Sequence, residues 1–190
     1  PDVQARQHEH NARRAARHGP HAGVPRGVHN RSRGKVDALV AAGAQAGGSP
    51  RGVTERVEIV LMCLPDAPDV QKVMAGPDGV LAGVRPGQVI VDMSTSSASL
   101  ARELAAQVAA LGATLLDAPV SGGEIGAKQG TLSIMVGGDE AALERARPVL
   151  LAMGKTIVRV GAAGAGQVCK SCHQIVVALT MAGVAEALLL

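Results

Sequence analysis

The sequence of 190 residues contains no phenylalanine, tyrosine or tryptophan, and only three cysteines. Because aromatic side chains supply much of the buried area of ordinary cores, a folded core must be built here from Val, Leu, Ile, Ala and Met. Three cysteines are too few for a disulfide framework in a chain of this size. The first residues also lack the apolar stretch of a signal peptide. These absences predict a reduced, cytoplasmic protein.

Positive charge is concentrated at one end of the sequence. Residues 1–35 hold eight of the 19 Lys and Arg residues and two of the 16 Asp and Glu residues, which leaves 11 basic and 14 acidic residues in 36–190. A basic segment is able to bind nucleic acid or an anionic membrane. Residues 36–190, however, have neither a basic stripe nor aromatic side chains on which bases could stack. We therefore expect neither nucleic acid nor a membrane as a partner.

Residues 1–28 differ in composition from the rest of the chain. They are rich in Arg, His, Ala, Gly and Pro, no Leu, Ile or Met precedes Leu39, and five of the six histidines lie within residues 1–29. A His-rich tract is compatible with metal binding. A segment with so little apolar surface to bury, however, predicts a disordered or aberrant tail over 1–28.

From Asn30 onward, apolar runs alternate with segments of helical periodicity. The predicted strands cover 57–64, 88–93, 114–117, 132–136 and 156–160. The predicted helices cover 35–42, 69–74, 98–111, 140–153 and 166–190, with Ser94 or Thr95 capping the third and Asp139 the fourth. This alternation predicts a Rossmann-like α/β fold, with a doubly wound and mostly parallel sheet, over residues 29–161. Ligands of such sheets bind at the carboxyl ends of the strands, which here are 64–65, 92–95 and 117–121.

The last predicted helix is apolar from residue 175 to residue 190, except for Thr180 and Glu186. Sixteen residues that include a carboxylate are too few to cross a bilayer. A helix that is apolar on all sides is normally buried between other elements. We therefore interpret residues 162–190 as the first helix of an all-α domain whose remaining helices lie outside this sequence, with cover of the helix by a partner chain as the alternative.

Two segments carry more specific information. Residues 117–123, DAPVSGG, run from a strand end into a glycine turn whose backbone N–H groups suit a small anion. Residues 164–170, GAGQVCK, place a lysine one turn inside a glycine-led helix. Together with residues 130–138, GTLSIMVGG, they resemble the β-hydroxyacid dehydrogenase family. The resemblance implies NADP or NAD as cofactor and a small hydroxyacid as substrate, of the 3-hydroxyisobutyrate or 2-hydroxy-3-oxopropionate type.

The same resemblance implies roles for individual residues. Lys170 would be the general acid or base that exchanges a proton with the substrate oxygen. The remaining substrate contacts would be Ser121, Gly122, Gly123, His173 and Gln174, where the family usually has Asn at the position of His173. The cofactor contacts would be Asn30, Arg31, Leu64, Pro65 and Thr95, and Arg31 favours NADP because an arginine there is able to pair with the 2′-phosphate.

A second motif overlaps the helix that carries the lysine. Cys169, Cys172 and His173 form the C-x-x-C-H pattern of c-type haem attachment. That chemistry requires export, and no export signal is visible. A zinc site built on the same three residues lacks an evident fourth ligand. Both alternatives are weaker than the dehydrogenase interpretation.

The Rossmann fingerprint G-x-G-x-x-G does not occur in the sequence. In the family it lies ahead of the position of Asn30, where this chain has its Arg- and His-rich segment. We therefore expect the chain to bind cofactor weakly or not at all, and we interpret residues 1–28 as the product of a shifted reading frame or a misplaced start.

Two functions from different classes remain. The first is an NAD(P)-dependent oxidoreductase, which would be a homo-oligomer if the helical domain is present. The second is an inactive α/β fragment that serves as a binding or interaction module.

Overall fold

Strands and helices alternate along residues 27–190, which are the residues that the computed structural model describes. The strands are β1 (Gly27–Val28), β2 (Gln45–Ala46), β3 (Ile59–Met62), β4 (Val89–Asp92), β5 (Thr114–Asp117), β6 (Val120–Ser121), β7 (Leu132–Gly137) and β8 (Gly154–Gly161). The helices are α1 (Arg33–Val40), α2 (Pro50–Thr54), α3 (Ala67–Met74), α4 (Ala98–Ala110), α5 (Gly123–Gln129), α6 (Glu140–Leu151) and α7 (Ala165–Leu189), with a 3₁₀ turn at Leu81–Gly83. The predicted tail lies outside the described residues except for its last two, which form β1.

The main sheet has six strands in the order β3-β4-β5-β7-β6, and β8 also pairs with β7. Strands β3, β4 and β5 are parallel to one another, and β8 is parallel to β7. Strand β7 runs antiparallel to β5 and β6. Only residues 122–131 connect β6 to β7, and a parallel pair would need a crossover of about a dozen residues or more. The Rossmann-like fold is confirmed, with β7 and β8 running opposite to β3, β4 and β5.

Two apolar layers cover the faces of the main sheet, and β4 contributes to both. Val89 and Val91 pack on one side with residues of α6, whereas Ile90 packs on the other side with residues of α3 and α4. Because successive side chains of a strand point to opposite faces, a strand in the middle of such a sheet is apolar throughout. All four residues of β4 are buried, as its continuous apolar run predicted.

The helix caps differ in one place from the sequence-based expectation. Asp139 caps α6 as predicted, because its Oδ1 accepts a hydrogen bond of 2.8 Å from the Ala142 N–H. The cap of α4, however, is Ser97, whose Oγ accepts from the Leu100 N–H at 3.1 Å. The prediction of Ser94 or Thr95 was wrong, because the Ser94 hydroxyl lies farther from the helix and accepts from the Leu64 N–H instead.

Helix α7 contacts the sheet only through its first turns. Its buried residues are Gly166, Gln167 and Lys170, whereas the apolar side chains from Ile175 onward are exposed except for the half-buried Val177. It has 25 residues and contains an 18-residue window with a mean hydropathy of 1.6, so it meets the length and composition criterion for a membrane span, which core helices of soluble proteins also meet. The candidate site involves only the first turns of α7, which pack against the sheet.

Candidate active site

Three strand ends meet at one edge of the sheet, as the sequence predicted. Met62, Asp92 and Asp117 are register partners at the carboxyl ends of β3, β4 and β5. Beyond them, the Leu64 N–H donates to the Ser94 Oγ at 2.9 Å. The loops after β3 and β4 are therefore joined directly, and both lie beside the end of β5.

Asp117 receives the amino end of helix α7. Its Oδ1 accepts a hydrogen bond of 2.7 Å from the Gly164 N–H, and its Oδ2 accepts one of 2.9 Å from the Gln167 N–H. Gly164 takes a positive φ of 87° and has no side chain with which to cap the helix itself. A carboxylate at this end also complements the helix dipole. A residue at the end of β5 thus fixes where α7 begins.

The backbone of α7 approaches the sheet too closely for any side chain at Gly166. A Cβ there would lie 2.5 Å from the Met135 carbonyl oxygen and 2.6 Å from the Asp117 carbonyl oxygen. Glycine is therefore required by contact with two strands, rather than by a turn.

Gln167 joins the helix to the loop after β4. Its Nε2 donates to the Ser94 carbonyl at 2.8 Å, and its Oε1 accepts from the Ser96 N–H at 3.0 Å. The residue is 1% exposed. The two bonds hold the segment on either side of Thr95, which is itself exposed.

Lys170 lies one turn beyond Gln167 on the docked face of α7 and is 9% exposed. Burial lowers the pKa of its ammonium group, with no neighbouring charge among the causes. Desolvation disfavours the charged form of a lysine. The Lys170 ammonium group therefore loses its proton more readily than that of a surface lysine does.

His173 connects α7 to the serine–glycine turn. Its Nε2 lies 3.2 Å from the Ser121 Oγ, and its Nδ1 lies 3.2 Å from the Gln174 Oε1. Gly122 and Gly123 follow Ser121 at positive φ values of 128° and 59° and are exposed. The structure thus brings together the predicted substrate contacts. Lys170 lies between Gln167 and His173, both of which contact the sheet edge.

The predicted cofactor residues lie around the first two loops of the same edge. Asn30 and Arg31 follow β1, and the Asn30 Oδ1 accepts from the Ser32 N–H at 2.8 Å. The Arg31 Nη1 lies 3.8 Å from the Asp69 Oδ1 in α3, the helix that follows Leu64 and Pro65. The Arg31 side chain is 85% exposed, so this ion pair is weak and leaves the guanidinium free to meet an anion.

The residues of the competing metal and haem motif, Cys169, Cys172 and His173, all lie in α7. Cys172 is exposed and Cys169 is half-buried, and both are free thiols. Within residues 27–190, no group of three or more His, Cys, Asp or Glu side chains is arranged to hold a metal ion. His173 directs its ring to Ser121 and Gln174 instead.

Sequence reasoning did not assign roles to Asp92, Asp117 or Gln167. Each is a polar side chain that is no more than 1% exposed. A carboxylate at the end of an otherwise apolar strand was the available signal for both aspartates, because buried charges are rare unless paired. Gln167 bonds to a loop about seventy residues earlier in the chain, and the sequence around Gln167 does not indicate these bonds.

Asp92 offers a test of this buried edge. Burial raises the pKa of its carboxyl from 3.8 to about 6, against hydrogen bonds from Ser94 that lower it and with a contribution from Asp117 that raises it. The folded state therefore binds this proton more tightly than the unfolded state does, so stability is lost as the pH rises from about 4 to about 6. That rise in pKa corresponds to roughly 3 kcal/mol.

Replacing Asp92 by Asn should raise the free energy of unfolding by up to about 3 kcal/mol at pH 7.5 and by much less at pH 4. The asparagine retains an oxygen for the Ser94 N–H, which donates to the Asp92 Oδ1 at 3.0 Å. Urea denaturation at the two pH values measures the difference. Asp37→Asn, on the exposed side of α1, is the matched control. An equal change at both pH values in the Asp92 variant would contradict the assignment.

Known proteins are similar to this chain in sequence and in fold. The family model described as the NAD binding domain of 6-phosphogluconate dehydrogenase matches residues 13–161. The match begins before Asn30 and so includes residues outside the described part of the chain.

Curated relatives are similar over most of the chain. It is 49% identical over 154 residues to the 2-hydroxy-3-oxopropionate reductase of Escherichia coli strain K12, which covers 81% of this chain and 53% of the relative. It is 47% identical over 155 residues to the 3-hydroxyisobutyrate dehydrogenase of Pseudomonas aeruginosa, covering 82% and 52%. The chain spans about half the length of the curated relatives it matches.

Solved structures share the fold. The Mycobacterium tuberculosis 3-hydroxyisobutyrate dehydrogenase with L-serine has a TM-score of 0.83 at 36% identity, covering 94% of this chain and 59% of that one. The structure of Psf3 in complex with NADP⁺ and 2-OPP has a TM-score of 0.87 at 32% identity, covering 96% and 63%.

Proposed function

This chain belongs to the family that carries the NAD-binding domain of 6-phosphogluconate dehydrogenase, and on that basis we propose that it is the nucleotide-binding part of an NAD- or NADP-dependent oxidoreductase. The substrate is a small 3-hydroxy acid, and the reaction interconverts its hydroxyl group and a carbonyl group. One observation carries the proposal. A buried lysine and the serine–glycine turn meet on the same face of α7, because His173 contacts Ser121 one turn beyond Lys170.

The serine–glycine turn suits the carboxylate of the substrate. Ser121 supplies a hydroxyl, and the backbone N–H groups of Gly122 and Gly123 are exposed where a small anion could approach. His173 and Gln174 complete the polar rim. A carboxylate held there would leave the rest of a three-carbon acid close to α7.

Lys170 handles the proton of the substrate oxygen. In the oxidation, the hydroxyl proton passes to the neutral Lys170 Nζ while the carbon loses a hydride, and a carbonyl group forms. In the reduction, the Lys170 ammonium returns the proton to the oxygen that gains negative charge. The lowered pKa of Lys170 makes the neutral amine available at lower pH than a solvated lysine would.

The residues at the first two loops fit a dinucleotide. Pro65 and Thr95 are exposed at the edge where the loops after β3 and β4 join, and the buried Ser96 Oγ beside them has no hydrogen-bond partner within the described chain. Leu64, Pro65 and Thr95 would hold the cofactor, and Asn30 and Arg31 would contact its ribose end. When bound, the nicotinamide would accept the hydride in the oxidation and donate it in the reduction. The exposed guanidinium of Arg31 favours NADP.

Cofactor titration tests the proposal. The chain has no Trp or Tyr, so the emission of NADPH is measured without overlapping protein fluorescence. Because the printed sequence lacks G-x-G-x-x-G, we expect saturable binding with a Kd well above the micromolar range. A micromolar Kd would contradict the expected effect of the missing fingerprint. Absence of binding at millimolar NADPH would contradict the proposed function itself.

The second candidate is an inactive α/β module that binds a partner without catalysis. The missing fingerprint is the observation that favours it, since that loop anchors the pyrophosphate of a dinucleotide in this fold. Saturable NADPH binding that weakens in Arg31→Ala would favour the oxidoreductase.

We further propose the cytoplasm as location, small hydroxyacids as the ligands, and neither nucleic acid nor membrane as partner. A homo-oligomer is the proposed state of a protein that also contains a helical domain. Residues 1–28, 29–161 and 162–190 remain our proposed division of the chain into tail, nucleotide-binding domain and first helix of the helical domain.

A further inference from the structure

Gln167 makes hydrogen bonds through its backbone N–H, its backbone carbonyl and both polar atoms of its side chain. Its backbone N–H donates to the Asp117 Oδ2 at 2.9 Å, and its carbonyl accepts from the Ser171 Oγ at 2.9 Å. Its side-chain amide donates to the Ser94 carbonyl and accepts from the Ser96 N–H. A buried amide is costly unless it is hydrogen-bonded, and here both the Nε2 and the Oε1 have a partner.

These bonds join segments that are far apart in the chain. Asp117 lies at the end of β5, Ser94 and Ser96 lie on either side of Thr95, and Gln167 lies in the first turn of α7. The Ser94 Oγ also accepts from the Leu64 N–H, so the loop after β3 is part of the same network. Lys170 is one turn beyond Gln167 on the same face of the helix.

We propose that Gln167 is a positioning residue that holds the Thr95 loop and the helical turn of Lys170 at a fixed separation. This inference rests on the proposed function, in which Thr95 faces the cofactor and Lys170 the substrate oxygen. The reaction requires Thr95 and Lys170 to be held in position at the same time, because misplacement of reacting groups by about 1 Å costs on the order of a hundredfold in rate. Gln167 acts through Thr95 and Lys170 and touches no reacting atom.

An apolar side chain would fill the same volume without making this link. Methionine matches glutamine in length but offers neither the Nε2 donor for the Ser94 carbonyl nor the Oε1 acceptor for the Ser96 N–H. In Gln167→Met the loop loses both bonds, whereas the backbone bond to Asp117 is retained. Gln167→Glu keeps an oxygen for the Ser96 N–H, removes the donor to the Ser94 carbonyl and introduces a buried carboxyl group. The pair of variants therefore separates the two ends of the link.

The test uses NMR of the 190-residue chain without cofactor or substrate. It measures backbone amide exchange and the pKa of Lys170. In Gln167→Met, the Ser96 amide should exchange on the order of tenfold faster, the equivalent of one hydrogen bond. The pKa of Lys170 should rise, because its turn becomes more hydrated. Amides of β4, which report global unfolding, provide the reference. In Gln167→Glu, Ser96 should keep its protection. Val168→Ala, on the exposed side of the same turn, is the control and should change neither quantity.

Unchanged Ser96 exchange in Gln167→Met, after correction for global stability, would overturn the inference, as would an unchanged Lys170 titration. If the variant fails to fold, the unsubstituted chain still decides. There the Ser96 and Gln167 amides should open with the same free energy, and Ser96 exchange that is faster by two orders of magnitude or more would show that the loop and the helix move independently. Because no readout uses NADPH, a negative cofactor titration and a failed link are distinguishable results.

Discussion

Replacing Lys170 by methionine is expected to lower kcat by about a thousandfold, within the range that a general acid or base contributes. The measurement uses a chimera in which residues 27–190 replace the matching segment of the Escherichia coli reductase, so that the relative supplies the remainder of its length. NADPH oxidation with 2-hydroxy-3-oxopropionate is the assay. KM should change far less than kcat, because the serine–glycine turn still binds the acid.

Two further variants sharpen this prediction. Lys170→Arg should not restore turnover, because a guanidinium with a pKa above about 12 does not exchange protons near neutral pH. Lys155→Met, at an exposed position of β8, is the matched control and should retain activity. Turnover that stays within about threefold of the unsubstituted chimera in Lys170→Met would remove the lysine from the mechanism.

Replacing Gly166 by alanine is expected to lower the free energy of unfolding by about 3 kcal/mol. The new Cβ would lie 2.5 Å from the Met135 carbonyl oxygen and 2.6 Å from the Asp117 carbonyl oxygen. Both are backbone atoms of paired strands that cannot move aside separately. The helix must therefore shift away from the sheet, which also displaces Lys170. Urea denaturation followed by far-ultraviolet circular dichroism measures the loss.

Gly183 provides the control for this substitution within the same helix. A Cβ at Gly183 would meet nothing within 4 Å. Gly183→Ala should therefore stabilise the protein by up to about 1 kcal/mol, because alanine is the better helix former. If both alanine variants changed stability alike, then close contact between α7 and the sheet would not be what requires glycine at position 166.

The longer elements could be predicted because each carries its own pattern. Strand β5 begins and ends where the sequence analysis placed it, and α4, α6 and α7 agree within two residues at each end. A buried strand is continuously apolar, and a half-buried helix is periodic. Strands β1, β2 and β6 have two residues each, which is too few for a pattern. Helix α5, with the sequence GEIGAKQ, begins at Gly123 of the predicted glycine turn, and the sequence analysis placed no helix there.

The site was only partly predictable, for a different reason. The serine–glycine turn and Lys170 stand out as sequence motifs, and their proximity follows from contacts such as that of His173 with Ser121. The cap of α7, in contrast, comes from Asp117, 47 residues before Gly164. The rules for helix capping consider the residues next to the helix end, and the residue before α7 is Gly164, which has no side chain. Long-range hydrogen bonds of this kind need the folded sheet to be recognised.

The most direct measurement is a crystal structure of the chimera with 3-hydroxyisobutyrate bound. Our account places the carboxylate within hydrogen-bond distance of the Ser121 Oγ and the N–H groups of Gly122 and Gly123. It places the 3-hydroxyl within hydrogen-bond distance, about 3 Å, of the Lys170 Nζ. An acid that binds at the serine–glycine turn with its hydroxyl beyond the reach of Lys170, or that binds elsewhere on the domain, would contradict it.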